Sequence, residues 1–385
     1  MANMSLFKNK MPILDPNVRN KNFEEVALGY TEEQAKDEAM RCLNCKEPKC
    51  VLGCPVNIQI PSFIKKISEG DYDSAYNETC ASVAMAFFMY RMLQNECNSE
   101  YTEVLELELY NGALAGMQLD GKRFFYVNPL EAITGISGIS PTHKHALPER
   151  PGWYGCACCP PNVARTITDI ADYAWLKQDD TLYSVLFMEN EINLDDDGIK
   201  VTVKTEYPYD GKITYSVSKT ATSNVSKLAV RIPSWARKAE LSGSPDLKSG
   251  FAYYEIPSDC KDIVITIDLK LTPRKIYCNN AVSSNTGKAA FAYGPLIYCA
   301  EEVDNGKVLN LFAKRGAAPE LKELSNELCG IRRLKIEGLK VKNSSEDSLY
   351  SEIPSETEPC EISLIPYYTW ANRGLNQMRV WLPEM

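Results

Sequence analysis

Apolar residues recur with a helical spacing in the first half of the chain and with a strand-like spacing in the second half. Thr31, followed by acidic residues, predicts a helix that runs from there toward Arg41. A second helix is predicted over Pro61–Glu69. Longer apolar runs predict helices over Cys80–Leu93 and from about Thr102 to Leu114.

The helix predicted after Pro160 and Pro161 has the clearest amphipathic pattern. Its apolar residues recur at spacings of three and four and fall on one face; they are Val163, Ile167, Ile170, Ala171 and Ala174. The segment Lys122–Leu130, before this helix, is predicted to be extended.

From Tyr183 onward, polar and apolar residues alternate, which is typical of β-strands. Runs beginning at Ile199 and Ile213 flank Asp210–Gly211, and this dipeptide predicts a β-hairpin. Further strands are predicted at Leu228–Ile232, Ile263–Leu269, Ala290–Ala300 and Arg379–Trp381. The order of elements predicts an α+β multidomain fold, in which a small cysteine-rich helical segment and a helical region precede β-sandwich domains.

The net charge of -9 argues against nucleic acid as a partner, because phosphate binding needs a basic surface. The N-terminal residues lack the apolar core of a signal peptide, and the most apolar run, Ala81–Tyr90, is too short to span a bilayer. These features predict a cytoplasmic protein with no membrane partner, and they leave its oligomeric state open. In such a protein, 14 cysteines favour metal ligands and reduced thiols over disulfides.

The first group of cysteines is Cys42, Cys45, Cys50 and Cys54, with Pro55 directly after the last. Close-set thiolates ending in Cys-Pro suit an iron–sulfur cluster, whose irons need soft sulfur ligands. A structural zinc site is the alternative that the spacing alone leaves open.

The surrounding residues, including DPNVRNKNFEEVALGY, RCLNCKEPKC and VLGCPVNIQIP, resemble the N-terminal iron–sulfur module of the glutamate synthase small subunit and dihydropyrimidine dehydrogenase. The resemblance covers residues 1–77 and implies [4Fe–4S] clusters that pass electrons from a flavin. It also implies further cluster ligands in a segment after Tyr76, where this chain has already changed character. The implied cluster ligand set is therefore incomplete. No Gly-x-Gly-x-x-Gly fingerprint occurs either, so the sequence shows no sign of the flavin- and NADPH-binding domains of that family.

A second group consists of Glu78, Cys80, Cys156, Cys158 and Cys159. A carboxylate and a cysteine two residues apart, with adjacent cysteines far downstream, can supply four tetrahedral zinc ligands. The adjacent pair precedes a helix, and both a helix N-terminus and a metal lower the pKa of a thiol. Spacing alone favours a structural zinc site over a catalytic one. Five further cysteines lie singly in strand-like sequence and are expected to be small buried apolar residues; they are Cys260, Cys278, Cys299, Cys329 and Cys360.

The motifs ETCASVAMAFFMYRML, HKHALPERPGWYGCACCPPNVART, AFAYGPLIYCAE and IPYYTWANRG resemble glycoside hydrolase family 127, the β-L-arabinofuranosidases. The resemblance implies the last helices of an (α/α)6 barrel at residues 78–180, and two β-sandwiches over residues 181–385. It implies retaining hydrolysis of a small β-L-arabinofuranoside, with Cys158 as nucleophile. Glu78, Cys80, Cys158 and Cys159 would bind zinc, and Tyr126 would contact the substrate.

Packing in the core is the alternative role for Tyr126. A structural or solvated loop is expected for His143 and His145, and a position that lines the substrate pocket is their alternative. The family's acid/base glutamate would fall within Ile60–Lys66, which contains no carboxylate. Impaired hydrolysis is therefore expected. Two other functions remain open from the sequence: an iron–sulfur electron-transfer module, and a non-catalytic β-sandwich protein that binds sugar.

Overall fold

The structure is a computed structural model and describes residue 9 and residues 32–43, 45, 78–140, 146–258, 260–279, 282–342 and 352–385. Several sequence predictions lie outside the described residues: the helix 61–69, Cys50, Cys54, His143 and His145. The chain divides into two compact units. One comprises residues 1–76 with 280–284, and the other comprises residues 77–279 with 285–385.

In the first unit, helix α1 spans Glu32–Ala39, within the predicted range. The backbone N–H of Asn9 donates to Glu38 Oε2 at 2.7 Å, and Asn9 Nδ2 donates to Asp37 Oδ2 at 2.9 Å. Arg41 forms an ion pair with Glu38 one turn earlier. Polar contacts on the acidic face of α1 therefore hold Asn9 beside the helix.

The helices of the second unit are α2 (Thr79–Asn95), α3 (Ser99–Leu107), α4 (Cys159–Thr168), α5 (Ile170–Ala174) and α6 (Glu302–Asn305). Helix α3 begins where the Asn98 side chain accepts a hydrogen bond from the N–H of Glu100 at 3.1 Å. It continues as a π-helical turn over Glu108–Ala113 and a last turn over Leu114–Gly116. The helices predicted over Cys80–Leu93 and from about Thr102 to Leu114 are confirmed.

The prediction of one amphipathic helix after Pro161 was wrong, because the helix breaks at Asp169 between α4 and α5. Val163 and Ala174 are buried, whereas Ile167 is 50% exposed and Ala171 is also exposed. A break interrupts the period of 3.6 residues per turn, so one continuous apolar face does not persist across it.

Gly112 lies in the π-helical turn, where α2 and this turn approach each other closely. A Cβ at this position would lie 2.1 Å from Ser82 Oγ on α2. We expect Gly112→Ala to destabilise the second unit by about 1–3 kcal/mol, because a buried clash forces backbone or side chains to move. Urea unfolding measures the effect, and Gly152→Ala, where a Cβ meets nothing within 4 Å, is the matched control. Equal unfolding midpoints for the two variants would contradict this close approach.

The strands in chain order are β1 (Glu131–Ala132), β2 (Trp175–Gln178), β3 (Thr181–Ser184), β4 (Asn190–Leu194), β5 (Ile199–Thr205), β6 (Lys212–Lys219), β7 (Lys227–Arg231), β8 (Glu240–Leu241), β9 (Asp246–Lys248), β10 (Phe251–Glu255), β11 (Cys260–Asp268), β12 (Pro273–Ile276), β13 (Lys288–Tyr293), β14 (Leu296–Glu301), β15 (Leu311–Ala313), β16 (Glu320–Ser325), β17 (Ile331–Val341), β18 (Thr357–Pro366), β19 (Met378–Arg379) and β20 (Leu382–Pro383).

Two five-stranded sheets form a sandwich over residues 175–268. Their strand orders are β2-β3-β7-β10-β9 and β4-β5-β6-β11-β8. Leu182 and Leu228 of the first sheet pack in one core with Val201 and Ile213 of the second. Strands β5 and β6 pair in antiparallel fashion across the segment that contains Asp210–Gly211, so the predicted hairpin is confirmed.

The third sheet contains ten strands, and its main path is β1-β19-β14-β18-β17-β15. Ala290–Ala300 was predicted as one strand, but it contains β13 and β14, which pair in antiparallel fashion. The chain turns at Gly294, whose φ of 54° suits glycine, and Pro295 has no N–H to donate to a ladder. A second sandwich in this region stays a prediction.

The isolated cysteines differ in their exposure. Cys260 and Cys299 are buried as expected, and Cys278 and Cys360 are partly exposed. Cys329 is exposed, so the expectation was wrong for this residue. It lies in a turn directly before β17 with a φ of 66°, and a turn at this place keeps the side chain outside the core. Among the helices that the structure describes, none has the length and apolar character needed to cross a membrane.

Candidate metal centre

The start of α2 places a carboxylate and a thiol side by side in a buried position. Glu78 precedes the helix with extended backbone angles, and its carbonyl accepts from the N–H of Ser82 at 3.1 Å. The N–H of Thr79 donates to the carbonyl of Tyr126 at 3.0 Å, and Glu78 pairs with Val127 in an isolated bridge. The segment around Tyr126 therefore fixes the first turn of α2, in which Glu78 is 3% and Cys80 8% exposed.

The start of α4 supplies two further thiols. Cys158 is the residue before the helix and Cys159 is its first residue. Pro160 and Pro161 follow in the first turn, where a missing N–H costs no helical hydrogen bond and a fixed φ favours the helix. The sequence Cys-Cys-Pro-Pro thus fixes where the helix begins and where its thiols lie. Cys159 is fully buried, and Cys158 is partly exposed.

The two helix starts bring Glu78, Cys80, Cys158 and Cys159 together, although 79 residues separate Cys80 from Cys159. One ligand atom from each of the four side chains lies within 4.8 Å of the others. The Sγ atoms of Cys80 and Cys159 are 3.5 Å apart, and those of Cys158 and Cys159 are 3.8 Å apart. The distance from Cys158 Sγ to Glu78 Oε1 is 3.7 Å.

The electrostatics of this group favour a bound cation. The hydrogen bond with Cys159 lowers the pKa of the Cys80 thiol to about 7, whereas burial raises the pKa of Cys158 to about 12. The hydrogen bond to Cys80 and burial also raise the pKa of Cys159. Burial raises the pKa of the Glu78 carboxyl, although hydrogen bonds from Cys80, Tyr126 and Cys158 oppose this. Several anions cannot share so small a buried space without a cation to offset their repulsion.

The donor set fits a tetrahedral metal site. Two thiolates that are each about 2.3 Å from one tetrahedral zinc lie roughly 3.8 Å apart, close to the two sulfur separations in the group. One carboxylate and three sulfurs complete four positions, and soft thiolates favour zinc over calcium or magnesium. The group can therefore hold a metal ion such as zinc.

Two residues to which the sequence assigned no role contact this group. Asn162, on the first turns of α4, donates from Nδ2 to Cys80 Sγ at 3.1 Å. Its place four residues after Cys158, on the same helix face, is the sequence signal that could have identified it. Tyr154 packs against Tyr126 with ring centroids 5.7 Å apart and also contacts Phe124. The spacing of Tyr154 gives no comparable signal.

Tyr126 packs beside the thiols, in one apolar cluster with Cys80, Phe124 and Cys159. Its hydrogen bond to Glu78 adds a polar contact to that packing. A cleft of about 370 Å³ is lined in part by Cys159, Thr79 and Trp153. Trp153 is 68% exposed, so an indole ring lies at the surface near the group.

Family profiles match most of the chain. The catalytic domain of β-L-arabinofuranosidases of glycoside hydrolase family 127 matches residues 65–172, and the middle and C-terminal domains of that family match residues 181–256 and 273–383. The profile of dihydropyrimidine dehydrogenase domain II, a 4Fe–4S cluster domain, matches residues 19–107. The two kinds of profile overlap between residues 65 and 107.

Individual proteins give the same division. A non-reducing end β-L-arabinofuranosidase of Bifidobacterium longum is 36% identical over 327 residues, which cover 80% of this chain and 49% of the relative. The crystal structure of a family 127 β-L-arabinofuranosidase from Geobacillus stearothermophilus T6 superposes with a TM-score of 0.75 at 37% identity, covering 81% of this chain and 51% of that one. The glutamate synthase small chain of Azospirillum brasilense is 36% identical over 64 residues, which are 17% of this chain and 13% of the relative.

The fold and the profiles place most of the chain among the glycoside hydrolases. More narrowly, the chain is a chimera: a segment that resembles the iron–sulfur module of the glutamate synthase small subunit precedes a region that resembles the C-terminal part of glycoside hydrolase family 127. The chain spans about half the length of the arabinofuranosidases that it matches.

Proposed function

We propose that the family 127 part of the chain is a zinc–thiolate glycosidase centre that cleaves terminal β-L-arabinofuranosides with retention, at a reduced rate. The observation that carries this proposal is the convergence of Glu78, Cys80, Cys158 and Cys159 within 4.8 Å. The relatives named β-L-arabinofuranosidase support the choice of substrate.

The roles of the side chains follow from their positions. Bound zinc would keep the three thiols ionised at neutral pH. Cys158 is the nucleophile, because it is the most exposed of the three thiols and an arabinofuranoside can approach it. Its sulfur forms a bond to the anomeric carbon while the bond from that carbon to the leaving oxygen breaks. Water then displaces the sulfur from the same carbon, and the two inversions together retain the configuration.

The position from which the family resemblance expects the leaving oxygen to be protonated offers no carboxylate. Residues 60–66, where the family resemblance expects the acid/base glutamate, contain no carboxylate. General acid catalysis contributes about 10²–10⁴-fold to a reaction of this kind. A substrate whose leaving group departs without a proton avoids this loss.

We therefore expect p-nitrophenyl β-L-arabinofuranoside to be cleaved measurably, and methyl β-L-arabinofuranoside at least about 100-fold more slowly. Release of p-nitrophenol and of free arabinose measures the two rates. Cys158→Ala should abolish both reactions. Cys360→Ala, which removes a thiol that is also partly exposed but lies on β18 outside the group of four, is the matched control and should keep the activity. Equal cleavage by the Cys158→Ala variant would refute the role of that thiol.

The first unit has a second candidate function, which its own family match favours. We propose that this segment derives from an iron–sulfur electron-transfer module. Cys42 is partly exposed and Cys45 is exposed, so both thiols can be reached by iron. Iron and acid-labile sulfide in protein purified without oxygen, together with visible charge-transfer absorption, would support a cluster, and their absence would mean that this segment forms none.

A further inference from the structure

A groove of about 910 Å³ runs along the second unit, away from the candidate metal centre. The second half of α2 and helix α5 line it on the helical side, and residues of strands β2 and β4 line it on the side of the sandwich. Each of these strands lies at the edge of its sheet. Cys80 is at the start of α2, and the groove residues Phe87 to Gln94 follow seven to fourteen residues later, so the groove lies roughly 10–20 Å along the helix from Cys80.

Aromatic side chains give the groove a rigid apolar surface. The rings of Phe87 and Tyr173 stack with centroids 5.6 Å apart, and Tyr90 meets Tyr173 edge-on at 4.8 Å. The hydroxyl of Tyr90 donates to the carbonyl of Trp175 at 3.0 Å, and Trp175 Nε1 donates to Asn190 Oδ1 at 3.1 Å. These hydrogen bonds hold the rings in place, so a ligand would lose little affinity in ordering them.

The polar groups of the groove carry balanced charge. Arg91 and Lys177 are cationic, and Asp169 and Asp172 are anionic. Lys177 is paired with Asp197, which lies in the 3₁₀ turn Asp195–Asp197 after β4, and Arg91 Nη1 donates to Gln94 Oε1 at 2.9 Å. A phosphate or another strongly charged ligand needs a surface of one dominant sign. The balance instead favours a neutral ligand with many hydroxyl groups.

We propose that this groove is a second carbohydrate-binding site, which takes a neutral furanosyl oligosaccharide. Ring faces and edges pack against the C–H surfaces of a sugar, and carboxylate, guanidinium and amide groups exchange hydrogen bonds with its hydroxyls. The size of the groove is in the range of small-molecule sites, and it lies between the helical region and the sandwich, where such sites are common. The choice of arabinofuranosyl units rests on the proposed function, but the groove itself does not depend on catalysis.

The test is a calorimetric titration of the full chain carrying Cys158→Ala with a β-L-arabinofuranosyl disaccharide. In this background we expect Tyr173→Ala to weaken binding at the groove by about tenfold or more, comparable with the loss of one stacked ring at other aromatic platforms. Tyr277→Ala is the control, because Tyr277 is an exposed tyrosine, 58% exposed, outside the groove. Asp172→Asn keeps the shape of an exposed side chain, removes its charge, and is expected to weaken binding several-fold.

The outcomes separate this site from the metal centre. Binding that survives Tyr126→Ala but falls with Tyr173→Ala places the sugar in the groove. Binding that disappears with Tyr126→Ala and is unchanged by both Tyr173→Ala and Asp172→Asn overturns the inference. If Tyr173→Ala loses its folded circular dichroism signal, Asp172→Asn alone decides between these outcomes. An absence of hydrolysis by the unsubstituted chain would reject the proposed function and leave the groove measurement intact.

Discussion

Replacing Cys80 or Cys159 with serine is expected to lower the zinc affinity of the chain by at least about 100-fold, from a starting content of about one zinc per chain. Loss of a contact that only orients a zinc ligand already costs about 10–100-fold, and loss of a thiolate ligand removes a bond to the metal itself. Both cysteines are buried, so a water molecule cannot take the place of the lost thiolate as a ligand unless the helix starts rearrange. Metal analysis and competition with a chromogenic chelator measure the effect.

Cys260→Ser is the matched control for this experiment. Cys260 is also buried, at 9% exposure, but it lies in β11, outside the group of four. Its zinc content should equal that of the unsubstituted chain. If all three variants retain one zinc, the metal is bound elsewhere, and the first cysteine group becomes the site to examine. Protein purified without oxygen is required, because free thiols oxidise.

The four residues of the candidate centre could be named from the sequence, because Glu78 and Cys80 share one motif and Cys158 and Cys159 share another. Within each motif, a helix start fixes the spacing of the two ligands. What the motifs could not supply is the distance between them. That distance depends on how α2 packs against α4 and on the strand-like segment at Tyr126, which are tertiary contacts.

The structure departs from the sequence predictions for local reasons. The break at Asp169 involves a residue that is compatible with a helix, so the apolar spacing on either side concealed it. Gly294 and Pro295 interrupt an apolar run that reads as one strand, although this dipeptide is a strong turn signal. The groove between α2 and the two edge strands brings together residues from separate elements, and no single motif could predict it.

The region similar to the iron–sulfur module and the region similar to glycoside hydrolase family 127 meet near residue 77. The contacts separate the chain after Tyr76, within a few residues of the change in sequence character. The two family profiles nevertheless overlap between residues 65 and 107, so residues on both sides of the junction are compatible with either pattern. Helices of both protein families have the same apolar spacing. This spacing therefore cannot by itself decide to which family a segment belongs.

Removal of the buried carboxylate at Glu106 is expected to destabilise the second unit by about 3–5 kcal/mol. Glu106 on α3 and Arg231 on β7 are 1% and 0% exposed and form two hydrogen bonds, at 2.5 and 3.0 Å. The hydroxyl of Tyr207 donates to the same carboxylate at 2.8 Å. This cluster joins the helical region to the sandwich. Glu106→Ala would leave the Arg231 guanidinium charged, buried and without its partner, and the urea unfolding midpoint of the second unit measures the loss.

The double variant Glu106→Leu with Arg231→Met separates the contribution of the ion pair from the cost of breaking it. Two apolar side chains of similar volume need no compensating charge, so most of the stability lost in Glu106→Ala should return. Glu149→Ala breaks the exposed pair with Arg123, whose charged atoms are 3.5 Å apart, and should shift the midpoint little because water solvates both groups. If the double variant is as unstable as Glu106→Ala, then the hydrogen bond from Tyr207, rather than the unpaired guanidinium, accounts for the loss. In that case the polar cluster stabilises the contact between α3 and the sandwich through its hydrogen-bond geometry, and not through its charge.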